Sequence, residues 1–177
     1  MPEKLTQKIV GAALCLFHGG TEIVARPELR DSGRFRDFGR AFYLTSSKYQ
    51  AERWAKIQCG RRNVTRGVVN EYVCVDFERM PAMKVKRFSG ANKEWLEAVI
   101  ACRKGQDAFT GFDVVIGPVA DDNVYQTIRL FELGTYTCEE ALKRLLTERL
   151  YDQIALKSEA ALAECKFASH TEVEVNV

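Results

Sequence analysis

Apolar residues recur along this chain in short blocks, some at strand spacing and some at helix spacing. Residues 12–17 form a continuous apolar run stopped by Gly19 and Gly20, which predicts a buried strand. Residues 41–44 predict a second, shorter one. Ser46 or Ser47 then caps a helix reaching about Gln58, with Ala51, Trp54 and Ala55 inward and Gly60 as its stop. A basic loop is expected over 61–67, then a strand of β-branched and aromatic residues over 68–76.

Residues 84–88 read as a further strand. The 92–103 segment reads as a helix with Trp95, Leu96, Val99 and Ile100 on one side and Gly105 at its end. A buried strand over 112–116 closes on Gly117-Pro118, and a helix over 123–133 ends at Gly134. Thr137 and Glu140 form a capping box for a helix whose apolar positions are Cys138, Ala141, Leu142, Leu145 and Leu146. A strand over 153–156, a short helix over 158–164 and a strand over 166–175 complete the pattern. Strands and helices mix without strict alternation, so the expected class is α+β with a largely antiparallel core. No repeat, low-complexity tract or linker breaks the chain, and one domain over 1–177 is the economical expectation.

Composition narrows the function classes. The chain is 46% hydrophobic and 28% charged with net charge +2, too balanced to imply nucleic acid or a membrane surface by charge alone. No apolar run reaches the roughly 18 residues of a membrane span. Lys4 and Lys8 precede the apolar stretch 9–17 in the manner of a weak signal peptide. That stretch is short and leads into His-Gly-Gly-Thr instead of a small-residue cleavage site, so the cytoplasm is the expected compartment. The six cysteines, at 15, 59, 74, 102, 138 and 165, have no zinc-like spacing, and the two histidines are far apart. No metal site is expected, and the cysteines read as buried, reduced thiols. Dinucleotide-binding, Walker, serine-hydrolase and zinc-protease fingerprints are all missing.

Three segments could carry chemistry. His18-Gly19-Gly20-Thr21 follows a buried strand, and its glycines let a ligand approach the backbone; taken alone, a tight turn with a structural histidine is the commoner reading. In DFGRAFYLT, residues 37–45, Tyr43 could offer a flat ring for stacking, with Phe42 facing the other way by alternation; two core aromatics are the alternative. In DVVIGPVADD, residues 113–122, Asp121 and Asp122 are either acids of a site or caps for the next helix. The basic stretch 61–66 could meet a pyrophosphate or an acidic target, or be a solvated loop.

Together with DQIAL at 152–156, these segments resemble a bacterial domain family within the ADP-ribosyltransferase superfamily. Members are similar to the poly(ADP-ribose) polymerase and diphtheria-toxin branch, whose pocket is summarised as His-Tyr-Glu. The resemblance covers residues 14–175. It implies an ADP-ribosyltransferase-like fold, a split antiparallel β core with flanking helices, and NAD as substrate. His18 would contact a ribose hydroxyl, Gly19 would pair with the nicotinamide amide, and Tyr43 would stack on the nicotinamide ring. Thr21 and Phe42 fall within the same NAD-binding set. Gln153 occupies the third position, where relatives often have Glu, and Ala41 stands where they have a second glycine.

The activity implied is mono-ADP-ribosylation of a macromolecule, protein or nucleic acid, in a toxin or defence setting with an antitoxin-like partner. NAD hydrolysis and a catalytically silent NAD- or partner-binding module are the rivals. Gln can accept a hydrogen bond but carries no charge, so poly(ADP-ribose) chains are not expected, and Gln153→Glu is expected to raise turnover.

Overall fold

A computed structural model describes residues 13–29, 36–119, 122–145 and 150–174. The chain order begins with β1 (Ala13–Gly20), β2 (Phe42–Leu44), α1 (Lys48–Arg62) and β3 (Arg66–Val75). A 3-10 turn (Phe77–Arg79), β4 (Val85–Arg87), α2 (Lys93–Arg103) and β5 (Val114–Pro118) follow. The remainder is α3 (Asp122–Glu132), α4 (Cys138–Leu145), β6 (Asp152–Leu156), α5 (Glu159–Ala163) and β7 (Cys165–Glu174). The strands form two sheets, β1-β3-β7 and β2-β6-β5-β4, antiparallel except for the parallel β4/β5 pair that α2 connects. The class is α+β. Among the described residues, one bridge joins the sheets: Phe17 and Thr45 exchange backbone hydrogen bonds of 2.8 and 2.9 Å.

Strand alternation sorts the core into layers. Leu16, Tyr72 and Cys74 from the first sheet meet Phe42, Leu44, Ile154 and Leu156 from the second. On the other face of the second sheet, Tyr43, Val115 and Ala155 pack with Trp95, Leu96 and Val99 of α2 and Val124 and Ile128 of α3. Helix α1 covers the first sheet through small side chains, Ala51 and Ala55 against Val69. Gly67 belongs to this small-on-small seam, since a Cβ there would sit 3.1 Å from the Ala55 Cβ.

Local signals explain most element boundaries. Ser47 caps α1 by accepting from the Gln50 N–H, Asn92 caps α2 and Ser158 caps α5. Thr137 and Glu140 exchange the two bonds of a capping box.

Four expectations need correction. Helix α1 runs past Gly60 and ends on Asn63 at φ 54°, because Asn tolerates the left-handed cap and Arg61 and Arg62 suit the negative end of the helix dipole. The basic loop is therefore divided: Arg61 and Arg62 are helical, and Arg66 opens β3. Trp54 is only partly buried; Gln50, Ala51, Ala55 and Cys59 form the inner face of α1. Finally, Cys74 and Cys165 are not thiols but a disulfide. The β3/β7 register sets them directly opposite each other, with Cα atoms 4.2 Å apart, although 91 residues separate them in sequence. Cys15, Cys59, Cys102 and Cys138 are not in disulfides.

Asp121, Leu146 and Val175 lie outside the described residues. Among the described residues, no helix is long and apolar enough to cross a membrane, and no group of three or more His, Cys, Asp or Glu is placed to hold a metal ion.

Candidate active site

His18 stands near the end of β1, one residue beyond the bridge to Thr45. Its Nδ1 lies 2.9 Å from the Tyr43 carbonyl. A carbonyl can only accept, so Nδ1 carries a proton and donates it there. The ring stacks on Phe42 with centroids 4.6 Å apart, and Phe42 packs edge-on against Tyr72. Phe42 thus belongs to the layer between the sheets, as alternation requires.

Gly19 is buried against α1. A Cβ added there would fall 1.8 Å from the Ala51 carbonyl oxygen and 2.9 Å from the Ala55 nitrogen, both rigid backbone. We expect Gly19→Ala to lower stability by about 3 kcal/mol by prising β1 from α1. An equilibrium urea titration checks this; a midpoint equal to that of the native chain would contradict the packing. Thr21 turns outward, and its Oγ1 accepts from Arg62 (2.9 Å), which also pairs with Glu22 at 3.2 Å. Arg66 faces Glu172 at 3.4 Å. These two arginines of the basic stretch thus have acidic neighbours within the chain.

Tyr43 is 8% exposed. Its hydroxyl donates to the Gly39 carbonyl (2.6 Å) and accepts from the Phe38 N–H (3.1 Å). Burial, with the Asp37 carboxylate adding to it, pushes the phenol well above its ordinary pKa, so it stays a donor. The Arg36 guanidinium lies 5.6 Å from the ring centre. Gly39 turns the backbone at φ +75°, a conformation that glycine adopts without strain.

Gln153 is 3% exposed and shares the Tyr43 face of β6, two residues from Ala155, the register partner of Tyr43. Its Nε2 donates to Asp37 Oδ2 (3.0 Å) and to the Pro118 carbonyl (3.1 Å). Asp37 Oδ1 in turn accepts Nε and Nη2 of Arg103 at 2.9 and 2.6 Å. Lys157 holds the same turn through the carbonyls of Phe38 (2.8 Å) and Arg40 (3.2 Å).

The residues singled out in the sequence therefore gather on the two faces of one sheet edge. His18 and Phe42 meet on the inter-sheet face. Tyr43 and Gln153 meet the 37–40 turn on the helix face. The Tyr43 carbonyl, taken by His18, links the two groups. Asp152, on the inter-sheet face of β6, accepts from Thr45 Oγ1 (2.9 Å) and the Ser46 N–H (3.1 Å). Asp122 opens α3.

Sequence reasoning missed Asp37, Arg103 and Lys157 as partners. Asp37 was visible only as the first letter of its motif, and Arg103 only as a helix end. Nothing local connects 37, 103, 153 and 157 until the fold does.

The family model described as "Protein of unknown function (DUF3990)" matches residues 14–167, most of the chain. No curated protein and no solved structure matches it.

Proposed function

The chain belongs to the DUF3990 family of proteins of unknown function, and from that premise we propose that it is an NAD-dependent mono-ADP-ribosyltransferase acting on a macromolecular acceptor. The proposal includes an ADP-ribosyltransferase-like fold, consistent with two mostly antiparallel sheets bridged at Phe17/Thr45. The observation that carries it is His18: at the seam of the sheets, the Nδ1–H bond to the Tyr43 carbonyl holds the ring in one orientation near the end of β1, where the resembled superfamily places its ribose-contacting histidine.

In the reaction, the bond between ribose C1′ and the nicotinamide nitrogen breaks, and nicotinamide leaves with the electron pair. The acceptor nucleophile then bonds to C1′ and gives up its proton. The transition state resembles that of glycoside hydrolysis, with positive charge on the ribose. His18 orients the sugar and the Gly19 backbone pairs with the nicotinamide amide; Phe42, stacked on His18, lines that face, and the Tyr43 carbonyl holds the His18 ring from the neighbouring strand. Gln153, an amide where relatives often have Glu, carries no charge to counter that on the ribose. Loss of one electrostatic contact of this kind costs about a hundred- to a thousandfold in rate, so single, slow transfer is the fit and chain elongation is not. The toxin or defence setting and an antitoxin-like partner rest on resemblance alone.

A second reading, a catalytically silent NAD-binding module, is favoured by one observation: the Gln153 amide and the Tyr43 hydroxyl are both engaged by the 37–40 turn.

Two measurements test these readings. NAD at a hundred times its Kd should raise the melting temperature by about 5–10 °C, since a ligand of the folded state stabilises it by about 2.7 kcal/mol. His18→Ala should abolish the shift while leaving the fold intact; no shift in the native chain at millimolar NAD removes the pocket. Nicotinamide release that requires cell lysate identifies transfer, release without lysate identifies hydrolysis, and binding without release identifies the silent module.

A further inference from the structure

The basic residues of this chain are unevenly placed. Helix α1 spans 15 residues, of which Lys48, Arg53, Lys56, Arg61 and Arg62 are basic and Glu52 alone is acidic. The helix therefore carries +4, and the rest of a chain of net charge +2 sums to −2. Some of these cations are engaged within the fold: Arg62 pairs with Glu22 at 3.2 Å, and Lys48 reaches Thr171 Oγ1 at 3.5 Å. Among the described residues, no carboxylate or hydrogen-bond acceptor engages the side chains of Arg53, Lys56 or Arg61. The inner face of α1 is taken by Gln50, Ala51, Ala55 and Cys59. Helical periodicity then sets Tyr49, Arg53 and Lys56 on one outward stripe, at i, i+4 and i+7. Arg61 extends it along the row through Ile57, in steps of four from Arg53.

An aromatic pair opens this stripe. Tyr49 is 60% exposed, and its ring stands 6.1 Å from that of Tyr151, tilted by 43°. Tyr151 directly precedes Asp152, whose carboxylate takes Thr45 Oγ1 and the Ser46 N–H. Thr45 is the residue bridged to Phe17, next to His18. The stripe thus starts at the seam of the sheets and extends over about 18 Å of helix from Tyr49 to Arg61. Cations without partners in the fold suit phosphates, and an open ring face suits a base that is out of its stack. A duplex hides its base faces, and an acidic peptide brings charge but no flat base.

We infer that the outer stripe of α1 docks a single strand of nucleic acid, with Arg53, Lys56 and Arg61 on its phosphates and a base on Tyr49, and that this strand is the acceptor of the proposed transfer. The acceptor role rests on the NAD reading above; the docking does not. In that transfer, a base or sugar heteroatom of the docked strand bonds to C1′ as the bond to nicotinamide breaks. Nicotinamide keeps the electron pair, and the proton displaced from the acceptor passes to solvent.

The test is fluorescence anisotropy of the full chain with labelled single strands of DNA and of RNA, about 16 nucleotides long and mixed in sequence. Three phosphate contacts predict that affinity falls about twentyfold between about 50 and about 200 mM salt. Arg53→Ala, Lys56→Ala and Arg61→Ala combined should cut that dependence below about threefold. Tyr49→Ala should weaken single-strand binding about fivefold or more and leave duplex binding unchanged, while Tyr49→Phe keeps the native affinity. All four side chains lie outside the inner face of α1, and alanine favours the helix, so these variants fold. A native chain that binds neither strand, binding that ignores both sets of substitutions, or a polyglutamate probe bound as tightly as the strands overturns the docking surface. With NAD labelled in its adenylate, label carried onto DNA or RNA names the acceptor. A chain that binds NAD, releases nicotinamide only with lysate and leaves both strands unlabelled overturns the acceptor role alone. A chain that docks the strands without binding NAD overturns the NAD reading and the acceptor role together, and upholds the docking.

Discussion

Reducing the Cys74–Cys165 bridge lowers the melting temperature of this chain by about 10 °C. The bridge closes a loop of 91 residues that contains β4, β5, β6 and helices α2 to α5. Opening it returns about 4.6 kcal/mol of chain entropy to the unfolded state. For a domain of this length, each kcal/mol moves the midpoint by roughly 2–4 °C. Melts followed by circular dichroism with and without a phosphine reductant measure the drop. Cys74→Ala with Cys165→Ala should show the same loss and no further response to reductant. A native chain whose midpoint ignores reductant would mean that the two sulfurs are not joined in solution.

Gln153→Glu destabilises the fold instead of raising turnover, reversing the expectation drawn from the motif alone. The new carboxylate would stand where Nε2 now stands, about 3 Å from Asp37, a separation at which two carboxylates cannot both stay ionised. The Pro118 carbonyl would lose its Gln153 donor as well. Leaving a buried charge uncompensated costs about 3 kcal/mol or more at neutral pH. Burial and Asp37 raise the pKa of the introduced carboxyl in the folded state above its unfolded value of about 4.3. Folded-state stability is therefore retained below that unfolded value and lost as pH rises through the raised one, so the variant should melt closest to the native chain at about pH 4–5 and furthest from it at about pH 7–8. Adding Asp37→Asn restores a donor and removes the second charge, and should recover most of the loss. If the single variant melts like the native chain at about pH 8, the Asp37–Gln153 contact is not formed.

Much of the architecture was legible because its signals are local. Ser47, Asn92, Ser158 and the Thr137/Glu140 pair fix helix starts by hydrogen bonds within one turn of chain. Apolar runs marked β1 and β5, and alternation correctly separated Phe42 from Tyr43. What escaped depends on distant partners. Gly60 looked like a helix stop, but the cap three residues on prevailed. Trp54 looked like a core residue, but the seam under α1 is too tight for it and takes alanine. The facing of Cys74 and Cys165 is a property of strand register, invisible to spacing. The site was legible as a set of residues and not as an arrangement: His18 and Gln153 lie on opposite faces of the second sheet, and the acid that holds Gln153 lies 116 residues before it.

The strand order also fixes when the protein can acquire its shape during synthesis. The central strand of the first sheet, β3, waits for β7, and the edge strand β2 waits for β6, more than a hundred residues later in the chain. A nascent chain emerging from the ribosome can form α1 and the β1/β3 pair early, but neither sheet closes until residues 152–174 are released. During that interval the apolar faces of Leu16, Phe42, Leu44 and Tyr72 have no final covering, so yield in a cell should depend on how quickly translation passes this last stretch and on chaperones that shield the early strands.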